Sequence, residues 1–101
     1  MESYNSAEQT IGTDAVLVSE EKAGQTRRNV VTLTNTDRNA TGGIIYIDFD
    51  QEAKVGSGIP LYPTGTWSET IDNRYNPTNK RIFAVASIAN TTLAIHERVE
   101  A

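Results

Sequence analysis

Apolar and polar residues alternate in this 101-residue chain over short runs separated by glycine, proline, asparagine and aspartate. A strand sends successive side chains to opposite faces, so alternation at period two marks a half-buried strand, whereas a surface helix needs apolar residues every three to four positions. No segment longer than ten residues carries the helical period without glycine, proline or β-branched runs interrupting it. The chain therefore reads as all-β.

The clearest run is Arg27–Asn35, with Val31 and Leu33 on one face and Thr32 and Thr34 on the other. Ile44–Phe49 sets Ile45, Ile47 and Phe49 against Tyr46 and Asp48. Ala15–Val18 is a shorter β-rich run. In Ile59–Pro63 the prolines cannot donate ladder hydrogen bonds, which places this piece at a sheet edge or strand end. Thr66–Ile71 puts Trp67 and Ile71 on one face with Glu69 between them. Arg81–Ile88 and Thr91–Val99 close the chain, and Ala89-Asn90 between them reads as a tight hairpin. Residues 1–10 are polar apart from Tyr4 and Ala7 and read as a flexible N-terminal arm. Residues 11–101 then form a single domain. Strands at this spacing make an antiparallel sandwich or a small barrel. The reading adopted is an antiparallel β-sandwich of about seven or eight strands, jelly-roll-like. Its core is expected to hold Val31, Leu33, Ile45, Ile47, Phe49, Leu61, Trp67, Ile71, Ile82, Ala84, Leu93 and Ile95.

Charge and composition narrow the functions. Thirteen acidic against nine basic side chains give a net charge of −4, so the basic footprint of a nucleic-acid binder is absent. No apolar run is long enough for a membrane-spanning helix, and Met1–Gln9 lacks the basic and apolar regions of a signal peptide. The absence of cysteine excludes disulfides and thiol catalysis. His96 is the sole histidine, and no serine lies in a nucleophile-elbow pattern, so it is expected to be a solvent- or interface-facing side chain. Asp48, Asp50 and Glu52 alternate, and a straight strand would aim all three to one side as a candidate cation site; a solvated strand end is the favoured reading. Arg27 and Arg28 read as a solvated strand edge, with pairing to a partner's carboxylates as the other option. Trp67, Tyr62 and Tyr75 are weighed as a sugar-stacking platform, but Trp67 runs in phase with Ile71 and is read first as core. No cofactor or metal is expected, and the chain is not expected to be an enzyme.

The order of segments carries a resemblance. Thr10–Val18 leads into Arg27–Thr36, then Ile45–Phe49, Gly58–Gly65, Ile82–Ala86 and Leu93–Glu97. This order is similar to that of the small head decoration or cement proteins of tailed bacteriophages. One departure is Pro63-Thr64-Gly65, which stands where Pro-Gly-Gly is expected. The resemblance implies a β-sandwich on the outer surface of the capsid, present in the host cytoplasm during assembly. Implied partners are the major capsid protein and copies of itself, as a homotrimer, with no catalytic residues. Partner-contacting residues are expected in the arm (Tyr4, Gln9) and the proline-rich piece (Tyr62). The alternative is a glycan- or receptor-binding module on a fibre or neck. A small hydrolase would require His96 to be gathered with a nucleophile and an oxyanion donor.

Overall fold

The computed structural model describes residues 2–72 and 76–100. Its strands are β1 (Glu2–Ile11), β2 (Val16–Ser19), β3 (Arg27–Asn35), β4 (Ile45–Phe49), β5 (Ile59–Leu61), β6 (Thr66–Thr70), β7 (Ile82–Ala86) and β8 (Thr91–Glu100). No helix occurs among the described residues. Two four-stranded sheets form, ordered β1-β8-β3-β6 and β2-β7-β4-β5, and every pairing is antiparallel. First pairs with last, second with seventh, third with sixth and fourth with fifth. The chain is thus one long ribbon folded at the β4–β5 hairpin, with alternate rungs assigned to opposite sheets.

This nesting overturns the Ala89-Asn90 hairpin. β7 lies between β2 and β4, and β8 between β1 and β3, so both edges of each strand are already taken. The chain instead crosses between the sheets, helped by Asn90 at φ 64° and a hydrogen bond from Thr91 Oγ1 to the Ile88 carbonyl at 2.8 Å.

The inward residues of the two sheets make the core. Val31, Leu33, Ile45, Ile47, Leu61, Ile82, Ala84, Leu93 and Ile95 are all buried, as alternation predicts. Phe49 and Trp67 are half-buried against this cluster, with ring centroids 5.2 Å apart and planes tilted by 44°. Ile71 is also only half-buried. Ile11, Ala53, Val85, Ala86 and Val99 are buried in addition.

Two expectations fail here. Of the flexible arm expected over residues 1–10, residues 2–10 instead lie in strand β1, which pairs along its whole length with β8 from Glu2↔Glu100 to Ile11↔Thr91. Polarity alone does not imply disorder here, because an edge strand covered on neither face needs no apolar side. Its backbone is satisfied by β8, and side-chain links from Glu2 to Arg98 (3.1 Å) and from Ser6 to His96 (2.8 Å) add to the pairing.

Arg28 is the second failure. Counting back in twos from the inward residues Val31 and Leu33 sends Arg28 outward. The β3–β8 register shifts between Arg28 and Val30, however, and this bulge resets the phase. The side chain turns inward and is fully buried, with Nε 2.6 Å from Glu97. Its remaining N–H groups reach the carbonyls of Glu20, Thr78 and Lys80 and the Ser19 hydroxyl. It therefore clamps the β2–β3 and β6–β7 connections onto the sandwich.

Candidate functional site

On the solvent face of the β1-β8-β3-β6 sheet, alternation and register assemble two rows of side chains across all four strands. One row runs Ser6, His96, Thr32, Ser68; the next runs Glu8, Ala94, Thr34, Thr66. Cross-strand hydroxyl bonds join Thr32 to Ser68 at 2.9 Å and Thr34 to Thr66 at 3.1 Å. The small Ala94 side chain among larger neighbours leaves a shallow groove of about 410 Å³, lined by Ser6, Glu8, Thr32, Thr34, Ala94 and His96 among others. Tyr4, two residues before Ser6 and so on the same face, stacks beside His96 with centroids 6.4 Å apart and planes at 28°. Tyr4 remains 67% exposed.

His96 Nδ1 lies 2.8 Å from Ser6 Oγ. A serine nucleophile also needs a group orienting the second imidazole nitrogen, and N–H donors aimed at a developing oxyanion. Among the described residues the His96 imidazole has no further hydrogen-bond partner. The backbone around it lies within a ladder that pairs β8 on both sides. What the groove offers is hydrogen bonding from hydroxyls, an imidazole and the Glu8 carboxylate, beside an exposed aromatic ring.

The other sequence candidates are scattered. Gln9 lies opposite the inward-facing Leu93 and is half-buried on the reverse side of β1 from Tyr4. Tyr62 is 59% exposed just after β5, on the other sheet. Tyr75 lies outside the described residues, and Trp67 packs inward on Phe49 rather than presenting a platform. The three alternating carboxylates do not converge, because β4 ends at Phe49 and Asp50 takes a left-handed φ of 58°. Asp48 accepts hydrogen bonds from the Phe49 amide and Gln51, while Asp50 pairs with Arg81 at 3.1 Å. Among the described residues no three metal-ligating side chains gather. Arg27 is exposed, as expected, and pairs with Glu100. A hydrogen bond from Asn29, followed by the bond and charge of Arg27, holds the Glu100 carboxyl below its ordinary range.

Ser6 and Glu8 carry no individual sequence signal as functional residues, because a polar run without an apolar face does not announce a strand. Their alternation with Tyr4 on one side of a strand was the available signal.

No protein family and no curated protein matches the sequence. Among solved structures the chain is similar to one titled "Cyanophage Pam1 capsid asymmetric unit", with 18% identity and a TM-score of 0.42. The match covers 98% of this chain and 82% of that one. A likeness at this level assigns no function.

Proposed function

We propose that this chain is a structural virion protein, a decoration or cement protein that binds the major capsid protein on the head of a tailed phage. One observation carries the reading. Four of the six segments that bear the resemblance, Arg27–Thr36, Ile45–Phe49, Ile82–Ala86 and Leu93–Glu97, correspond to the four interior strands β3, β4, β7 and β8 of one sandwich. We read the nested strand order around them as a jelly roll, the unit the resemblance implies. A rigid body of this kind acts through buried interface rather than chemistry. A specific contact takes on the order of 800 Å² from each partner, and this chain exposes 5940 Å² in all.

The test is quantitative mass spectrometry of purified particles, combined with heating of heads that lack the protein. The expected result is a copy number in fixed proportion to the major capsid protein, with undecorated heads rupturing at lower temperature. Absence from particles, or unchanged head stability, refutes the proposal.

The groove beside Tyr4 supports the receptor-module alternative, since hydroxyls, a carboxylate and an exposed aromatic ring suit a sugar. Under that reading the protein is scarce on the particle, and Tyr4→Ala abolishes binding to host-cell glycans.

A further inference from the structure

An antiparallel sandwich has four edge strands, and an unpaired edge invites another strand to add to it. Three of the edges here are blunted. β5 is three residues long and contains Pro60. β2 has four residues and a register shift between Leu17 and Ser19. β6 has five, with Glu69 turned inward to accept the Thr78 amide at 3.0 Å. β1 differs from all of them. It runs for ten residues without proline or lysine, its register against β8 is unbroken, and Glu2 to Glu8 are exposed on both faces.

We infer that β1 is a docking edge for a second copy of this chain, the two β1 strands pairing antiparallel about a twofold axis beside Ser6 or Ala7. The register follows from charge. A twofold axis normal to the sheet pairs outward residues with outward residues, so one residue must face its own copy. Centring on Asn5 sets Glu2 against Glu8 twice, and centring on Glu8 sets that carboxylate against itself. Directly opposed like charges are destabilising.

Centring on Ser6 sets Tyr4 against Glu8 and Glu2 against Thr10, while centring on Ala7 sets Tyr4 against Thr10 and Ser6 against Glu8. Neither opposes two carboxylates, and each retains a ladder of about 30 Å at strand rise. The product is one sheet continuous through both copies, in which the two Tyr4–His96 grooves share a face. The inference does not depend on the capsid reading.

Sedimentation of the full chain at micromolar concentrations is expected to show a monomer–dimer equilibrium. A monomer throughout, or a trimer, overturns the pairing. Ala7→Lys places an ammonium at or beside the axis on a side chain that is already exposed, and should weaken the dimer at least about tenfold. An unchanged dimer refutes the proposal.

The chain lacks cysteine, so Ser6→Cys and Ala7→Cys each introduce a lone thiol. Residues facing each other across an antiparallel ladder have Cα atoms about 4.5–5.5 Å apart, within disulfide reach. One of the two variants should oxidise to a linked dimer faster than Ser57→Cys on the exposed β4–β5 connection. If neither does, the pairing is wrong. Hydrogen exchange on the unaltered chain provides a readout without substitution: the outward amides of β1 should gain protection as concentration rises, and no gain refutes the interface.

Discussion

Replacing Arg28 by alanine tests whether the buried clamp holds the sandwich together. A guanidinium has five N–H donors, and here each has an acceptor. Nε bonds Glu97 at 2.6 Å, Nη1 bonds the carbonyls of Thr78 (2.8 Å) and Lys80 (2.9 Å), and Nη2 bonds Ser19 (2.7 Å) and the Glu20 carbonyl (2.8 Å). Without it, a buried carboxylate keeps only the Ser19 hydroxyl as a side-chain donor, at 3.0 Å. Stranding one member of a buried ion pair costs about 3–5 kcal/mol. A domain of this size has about 5–15 kcal/mol in total, and each kcal/mol moves the melting temperature by about 4–8 °C. Arg28→Ala is therefore expected to melt at least about 12 °C lower. Arg28→Lys keeps the charge but has only three donors and no planar fork, so its loss should be intermediate. The double variant Arg28→Met/Glu97→Leu removes both buried charges. Its loss should be smaller than the sum of the two single losses by about 1–3 kcal/mol. It should not recover fully, because three carbonyls still lose their donor. Urea unfolding followed by circular dichroism and Trp67 fluorescence measures these variants, the matching singles Arg28→Met and Glu97→Leu, and the unaltered protein. A loss below about 1 kcal/mol for Arg28→Ala, or strict additivity in the double variant, would refute this account of the clamp.

Two smaller perturbations follow from local geometry. Thr64 is exposed and has a φ of 66°, a left-handed conformation that β-branched residues disfavour. Thr64→Gly relieves about 1–2 kcal/mol of strain against about 0.5–1 kcal/mol of added chain entropy, and keeps the amide bond to the Asn35 carbonyl. A net gain of about 0.5–1 kcal/mol is expected in denaturant titration, and a loss would contradict the strain argument. Glu100 supplies the pH-dependent case. Its folded carboxyl is more acidic than its unfolded one, so its stabilising contribution is complete above the ordinary carboxylate range and is lost as pH falls through the lowered value. Glu100→Gln should therefore lose less melting temperature than the unaltered protein between neutral and acidic pH; equal losses would show that the group is not linked to folding.

Strand positions were largely legible because alternation is a local property. Arg27–Asn35 matches β3 residue for residue, and Ile44–Phe49 exceeds β4 by one position. The Pro63-Thr64-Gly65 departure coincides with the left-handed Thr64, so the expected glycine has a backbone reason. The candidate groove was less visible. His96 stood out as the single histidine, but Ser6 lies ninety residues away in sequence, and only the β1–β8 register brings it to 2.8 Å.

Composition and period two were sufficient for an all-β chain and for most of its core, since burying one face of a strand leaves a trace in every second residue. Tertiary structure alone decided the rest. Whether the mostly polar residues 2–10 form a strand depends on β8 having a free edge, whether Arg28 points in or out depends on a single extra residue in β3, and whether β7 and β8 are neighbours depends on which strands already occupy their edges. Each of these turns on backbone hydrogen bonds between distant segments, and those bonds involve groups that are the same in nearly every residue.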